Sequence, residues 1–234
     1  VARSLSSMAR LAEAADSLGL GHLSLHREIA TLSGGEGQRL RLVEALEAPL
    51  HGACYVFDEP TRGLHAADAG QLGARLRELL SAETTVLLAD HNPTLVASSD
   101  EVVEMGPAGG AAGGRVIYQG PPVGSPLLSA AATTGSAAER PITHRMTLTG
   151  VTLRTLHEQD ATFALGSMTC VSGVSGSGKT TIVRDVLVPA VRRYLETQED
   201  CGPGYRKLRF VGPPPSAIQF VNQQAITNNP RSLV

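Results

Sequence analysis

Gly173-Val174-Ser175-Gly176-Ser177-Gly178-Lys179-Thr180 decides the fold of this chain, because it matches the phosphate-binding loop pattern in full. The glycines let successive backbone N–H groups curl around an anion. Lys179 supplies a positive charge for the β and γ phosphates, and the Thr180 hydroxyl is placed to bind Mg²⁺. The stretch therefore predicts a nucleoside triphosphate site. A Gly/Ser-rich linker that happens to contain Lys-Thr is the alternative.

The residues on both sides of the loop argue against a linker. The run from Ser167 to Ser172 has the apolar character of a short buried strand. After the loop, apolar residues recur at helical spacing: Ile182, Val183, Val186, Leu187, Ala190, Val191 and Tyr194. Pro189 is expected to end or kink this helix. Strand, loop and helix in this order are the context that the motif requires, and they indicate an α/β fold.

The composition is that of a globular chain of one large or two small domains. The chain has 234 residues, of which 42% are hydrophobic. A formal net charge of -2 gives no strongly basic field, and aromatic residues make up only 3%. A base-stacking surface is therefore not expected, and binding to nucleic acid would need a local arginine cluster or further parts.

The three cysteines include no Cys-x-x-Cys pair, so we expect no zinc module. Cys54 and Cys170 lie in apolar runs and are expected to be buried thiols, whereas Cys201 is expected in an exposed loop. The cysteine count is odd, and there is neither a signal peptide nor an apolar run long enough to cross a bilayer. These features predict a soluble, cytoplasmic chain.

A second glycine-containing motif, Thr31-Leu32-Ser33-Gly34-Gly35-Glu36-Gly37-Gln38-Arg39, precedes a helical pattern. Ser33 and Glu36 have the spacing of a capping box, so a well-started helix is the simplest interpretation. That interpretation does not require Gly34 and Gly35. Two glycines at a helix N-terminus expose N–H groups, which favours a phosphate site.

Two carboxylates follow the apolar run Cys54-Tyr55-Val56-Phe57, which is typical of a buried parallel strand. In open α/β sheets, binding and catalytic residues lie at the carboxyl ends of the strands. Asp58 is therefore expected to hold Mg²⁺ through water, and Glu59 to orient or deprotonate the attacking water. An ordinary turn after a strand is the alternative.

A second buried strand, from Thr84 to Ala89, leads to Asp90 and His91 at the same edge of the sheet. A histidine at this place could contact the γ-phosphate, although a structural or solvated histidine is the commoner case. Further predicted elements are helices at 3–18 and 68–80 and strands at 101–105, 115–118, 146–156, 208–211 and 217–221. A Gly-rich turn at 106–114 separates two of these strands.

The motif Leu32-Ser33-Gly34-Gly35-Glu36 with Gln38-Arg39 resembles the signature of the ABC ATPase superfamily. In its terms, residues 173–180 resemble the Walker A loop, 55–58 the Walker B strand, Glu59 the catalytic glutamate, His91 the switch histidine and Gln223 the Q-loop glutamine. The resemblance implies ATP and Mg²⁺ as cofactors. It also implies three groups of site residues: catalytic Glu59, His91 and Gln223; Mg²⁺-binding Thr180, Asp58 and Gln223; and nucleotide-binding Gly173, Ser175, Gly176, Gly178, Lys179, Thr180, Thr181, Ser33, Gly34 and Gly35.

Within that superfamily the chain resembles the UvrA family, the damage-recognition ATPases of bacterial nucleotide excision repair. This resemblance rests on the motifs above and on five further stretches: Asp58-Glu59-Pro60-Thr61, Gly63-Leu64-His65, the Gly-rich turn, Val221-Asn222-Gln223 and Pro230-Arg231-Ser232. The implied fold is an ABC-type P-loop three-layer sandwich with a mostly parallel sheet. The implied partners are DNA, other excinuclease subunits and, in an ATP-dependent dimer, a second copy.

The motifs stand in a circularly permuted order, because the signature, Walker B and histidine precede Walker A. The UvrA family has two cassettes in tandem. Residues 1–119 therefore resemble the closing half of one cassette, 120–141 a Pro/Gly/Ser/Ala-rich linker, and 142–234 the opening half of the next. The tail has no stop signal, and more chain is expected to follow it.

Two arrangements follow from this order. If the halves sit as in the UvrA family, Ser33 and Gly35 face the phosphate-binding loop, and Asp58 and Glu59 belong to another site. Alternatively, the two halves form one permuted cassette with a single site, in which the strands ending at Asp58 and Ser172 could be neighbours. The chain length favours the second arrangement.

Three functions fit these patterns. The first is an ATP-hydrolysing UvrA-like repair protein. The second is the soluble ATPase subunit of a drug exporter. Gly63-Leu64-His65 and the Gly-rich turn argue against it, because they resemble the UvrA family. The third is a fragment that binds nucleotide without catalysis.

Overall fold

The fold is taken from a computed structural model that describes residues 2–24, 26–28, 31–47, 50–64, 66–81, 83–131 and 141–221. Its helices are α1 (Ala2–Ser17), α2 (Gly34–Glu47), α3 (Ala66–Glu78), α4 (Pro93–Ala97), α5 (Pro126–Ala131) and α6 (Val188–Thr197). Its strands are β1 (Ala53–Asp58), β2 (Thr85–Ala89), β3 (Glu101–Gly106), β4 (Arg115–Gly120), β5 (Arg145–Leu153), β6 (Leu156–Ala164), β7 (Met168–Gly173), β8 (Lys207–Val211) and β9 (Ala217–Val221).

A six-stranded sheet with the order β4-β3-β7-β2-β1-β9 forms the centre of the molecule. Its neighbours are parallel except for β3 and β4, which form an antiparallel pair. A separate antiparallel sheet has the order β6-β5-β8. The fold is therefore α/β with a mostly parallel sheet, as the sequence predicted.

Strand β7 lies between β2 and β3, so both sequence halves contribute to one sheet. Of the two arrangements, the structure has the one in which the halves combine. The strands ending at Asp58 and Ser172 belong to the same sheet but are not neighbours, since β2 separates them. The division at residues 120–141 stays a prediction.

The central sheet is covered on both faces, which explains its apolar strands. Alternation along β1 places Cys54 and Val56 in the core shared with β5, β6 and the segment after the phosphate-binding loop. Tyr55 and Phe57 point to the opposite core, where Leu72 of α3 packs with other helix residues. Two cores on opposite faces of one sheet give the three layers that were expected.

Two predictions about local structure need correction or qualification. The strand expected over 146–156 is two strands, β5 and β6, joined at Arg154, whose φ is 55°. Pro189 does not end the helix after the loop. A π-helical segment, Thr181–Leu187, changes there into α6, with Pro189 in its first turn. Cys54 and Cys170 are buried and Cys201 is exposed, as predicted.

Candidate nucleotide-binding site

The phosphate-binding loop joins β7 to the π-helical segment, and Lys179 lies close to the C-terminal end of the loop. The Lys179 side chain is buried, and its Nζ donates to the carbonyl oxygens of Gly173 (2.8 Å) and Val174 (2.9 Å). Burial lowers the pKa of Lys179 below its ordinary value, and the nearby carboxylates of Glu59, Asp90 and Asp58 oppose this shift. A desolvated ammonium group is stabilised by an incoming anion, so Lys179 is ready to meet a phosphate.

Asp58 and Thr180, which lie 122 positions apart in sequence, meet at this edge of the sheet. The Thr180 hydroxyl donates a hydrogen bond of 2.9 Å to Asp58 Oδ1. Burial raises the pKa of Asp58 above its ordinary value, and the neighbouring Glu59 raises it further, whereas the Thr180 hydrogen bond lowers it. A hydroxyl and a carboxylate oxygen are hard donors of the kind that Mg²⁺ prefers, so these residues fit that ion.

Glu59 follows β1 in a left-handed backbone conformation, with φ of 49°. Its N–H donates to the carbonyl oxygen of Ala89 at 2.8 Å, which ties the end of β1 to the end of β2. A left-handed conformation is costly for a residue with a side chain, and such strain concentrates at functional positions. The Glu59 carboxylate lies 3.4 Å from the Arg62 guanidinium, in a partly exposed ion pair.

Two cavities meet at Glu59. One, of about 290 Å³, is lined by Glu59, Arg154, Thr155, Ser175, Gly176, Gly178, Lys179, Thr180 and Thr181. The other, of about 460 Å³, is lined by Glu59, Thr61, Arg62, Gly63, His91, Asn92 and Pro93. The structure therefore brings the phosphate-binding loop, the end of β1 and His91 to one edge of the sheet.

Asp90 connects the loop after β1 to the loop after β2. Its carboxylate is fully buried and accepts hydrogen bonds from the Thr61 N–H (3.0 Å) and the Thr61 hydroxyl (2.8 Å). It also accepts from the N–H groups of His91 (2.7 Å) and Asn92 (2.9 Å). The position of Asp90 at this edge was predicted, but this role was not, because nothing in the sequence pairs Asp90 with Thr61.

The capping box at the start of α2 is present. Glu36 N–H donates to Ser33 Oγ (3.2 Å), and Ser33 N–H donates to Glu36 Oε2 (2.7 Å). The Ser33 N–H bond, with help from His22, lowers the pKa of Glu36 to about 2. Gln38 Nε2 donates to the carbonyl oxygen of Asp58 at 2.8 Å, so α2 is fixed to the end of β1.

Some predicted site residues do not line the two cavities, and two residues that line one of them were not predicted. Ser33 precedes α2, Gly34 and Gly35 begin it, and these three residues line neither of the two cavities. Gln223 lies outside the described residues. Arg154 and Thr155 line the loop cavity but were missed, because the turn between β5 and β6 carries no Gly or Asn signal.

No group of three or more His, Cys, Asp or Glu side chains in the described ranges is arranged to hold a metal ion, and the absence of zinc stays a prediction. No helix in those ranges has both the length and the apolar character needed to cross a membrane.

The chain is similar to proteins called UvrABC system protein A. The one from Paucimonas lemoignei is 39% identical over 191 residues, which are 76% of this chain and 28% of that protein. The one from Rickettsia felis is 35% identical over 228 residues, which are 92% of this chain and 24% of that protein. The chain thus spans about a quarter of the length of these relatives. No protein-family model matches it.

Among solved structures, UvrA2 from Deinococcus radiodurans is 37% identical to this chain, with a TM-score of 0.47. The match covers 85% of this chain and 24% of that one.

Proposed function

Because this chain is homologous over most of its length to a segment of UvrABC system protein A, we propose that it binds Mg²⁺-ATP and hydrolyses ATP in nucleotide excision repair. The observation that carries the proposal is the hydrogen bond between Thr180 and Asp58. It puts the oxygen donors expected for Mg²⁺ beside Lys179, in a cavity that Glu59 also lines.

Each residue then has a defined task. Lys179 and the backbone N–H groups of the loop hold the phosphates, while Thr180 and Asp58 would hold Mg²⁺. The ion supplies charge neutralisation for the phosphates. Glu59 lines both cavities, so its carboxylate is placed to take a proton from water that enters beside His91. Gln223 is proposed for the same site on the resemblance alone.

Two substitutions separate binding from catalysis. Lys179→Ala removes the charge that meets the phosphates, so we expect the Kd for Mg²⁺-ATP to rise at least about tenfold. Glu59→Gln keeps the shape but removes the base, so we expect binding to persist while kcat falls by about 10²-fold or more. Calorimetric titration and a phosphate-release assay measure these effects.

The outcomes also discriminate between the candidate functions. If the unmodified chain binds Mg²⁺-ATP without turnover, it is a non-catalytic nucleotide-binding protein. No heat on addition of Mg²⁺-ATP to folded protein would contradict the proposal altogether. The names of the relatives favour a repair protein over an exporter subunit, and stimulation of turnover by DNA would support that choice.

The partners are proposed by the same homology. Ser33 and Gly34 are exposed at the start of α2, where a second copy could use them to cover the bound nucleotide. We expect ATP to shift the Glu59→Gln variant towards a dimer in size-exclusion chromatography with light scattering. DNA and other excinuclease subunits are further proposed partners.

A further inference from the structure

The Gly-rich turn between β3 and β4, residues 106–114, lies against the phosphate-binding loop. Two backbone hydrogen bonds join them: Gly110 N–H donates to Gly176 O, and Gly114 N–H donates to Ser177 O, both at 3.0 Å. The turn belongs to the N-terminal half of the chain and the loop to the C-terminal half. One half thus supports the anion-binding backbone of the other.

Gly109 and Gly113 are needed here for space. Their φ values are −89° and −92°, which any residue can adopt. A Cβ atom on Gly109 would overlap the carbonyl oxygen of Ser175, and one on Gly113 would lie 3.2 Å from Ser177 Cα and overlap the carbonyl oxygen of Ala108. Any side chain at Gly109 would therefore push directly on the backbone of the phosphate-binding loop.

The hydrogen bond to Ser177 O also fixes a peptide plane. In a trans peptide the C=O and the following N–H point in opposite directions. Since Ser177 O faces the turn, the N–H of Gly178 faces away from it, and Gly178 lines the loop cavity. Backbone N–H groups that already point into the site in the free protein bind an anion more tightly, because less conformational entropy is lost on binding.

We infer that the turn at 106–114 is a positioning element that holds the phosphate-binding loop in its anion-binding shape, with Gly109 and Gly113 as its contact residues. This inference rests on the proposed nucleotide binding. It adds that affinity for the triphosphate depends on residues that do not line the loop cavity.

The test compares Gly109→Ala with the unmodified chain by calorimetric titration with Mg²⁺-ATP. We expect the Kd to rise at least about tenfold, because the new Cβ displaces the carbonyl of Ser175. Gly19→Ala is the control: Gly19 has φ of 72° and open space around it, so the variant is strained but remote from the loop. We expect its Kd to stay within about twofold of the original. A folded Gly109→Ala protein with unchanged affinity would overturn the inference.

Hydrogen–deuterium exchange of the unmodified chain keeps the inference testable if Gly109→Ala does not fold. Bound Mg²⁺-ATP should slow exchange at the amides of Gly110 and Gly114, whose hydrogen bonds end on the loop. Unchanged exchange at both amides would count against it. If the unmodified chain binds no ATP, the proposed function fails. In that case the positioning role is tested without nucleotide. Faster exchange of the loop amides in Gly109→Ala than in the unmodified chain would support it, and equal exchange in these two proteins would reject it.

Discussion

At the scale of single residues, Asp58 shows a conflict between stability and function. Its pKa is raised chiefly by burial, so the folded protein holds the Asp58 proton more tightly than the unfolded chain does. Ionised Asp58 therefore destabilises the fold at neutral pH, and this cost disappears below the ordinary aspartate pKa. The proposed function needs the ionised carboxylate, because a neutral side chain holds Mg²⁺ poorly.

Asp58→Asn should accordingly make the nucleotide-free protein more stable at pH 7 while abolishing ATP turnover. The asparagine oxygen can still accept from Thr180, and the buried charge is gone. We expect Tm to rise by about 2–4 °C, the shift that about 1 kcal/mol produces in a chain of this size. Thermal denaturation from pH 7 downwards should show the two Tm values converging as Asp58 becomes protonated. A difference in Tm that does not depend on pH would contradict this explanation.

At the scale of elements, the ends of β1 and β2 behave as one unit because Asp90 accepts hydrogen bonds from both following loops. Asp90→Ala would leave the buried N–H of Thr61 without its acceptor, at a cost of about 1–3 kcal/mol, and would also remove the acceptor of the partly buried N–H of His91. We predict that kcat falls at least about tenfold, since Glu59 and His91 lose their common support. The Kd for Mg²⁺-ATP should change less than kcat does, since the Asp90 carboxylate bonds to the loops after β1 and β2 and acts on Lys179 of the phosphate-binding loop only through its charge.

The conservative variant provides the control for Asp90. Asp90→Asn keeps one oxygen that can accept from His91 and Asn92, and should retain more activity than Asp90→Ala. Steady-state kinetics and titration at matched temperature measure both variants. Equal kcat for Asp90→Ala and the unmodified chain, or equal losses in both variants, would show that the hydrogen bonds do not position the catalytic groups.

The motifs were predictable from sequence because each carries its chemistry in consecutive residues. The loop at 173–180, the carboxylates after β1 and the capping box of Ser33 and Glu36 all have local patterns. The docking of the Gly-rich turn was not predictable, because it consists of backbone contacts between distant segments. The β5–β6 hairpin was not predicted because its turn lacks a glycine. Arg154 takes the left-handed conformation there, in which glycine is usual.

At the scale of the whole molecule, the central sheet is completed by a strand from the other half of the sequence. Strand β7 pairs with β2 on one side and β3 on the other, and β9 pairs with β1. Met168, Cys170 and Val171 of β7 are fully buried. Burying an apolar side chain of this kind contributes about 1.5–3 kcal/mol, so their sum approaches the 5–15 kcal/mol of typical domain stability.

Separating the halves after Ala131 should therefore unfold both. We expect residues 1–131 alone to lack a cooperative thermal transition, because β2 and β3 would both lose β7, the strand that joins them, and no strand would fill the gap between them. An equimolar mixture with residues 141–234 should recover the transition, since the missing strand returns to its place. Circular dichroism melts of each fragment and of the mixture measure this. A cooperative melt of residues 1–131 near the Tm of the intact chain would show that the N-terminal half is a domain by itself and that β7 adds little to it.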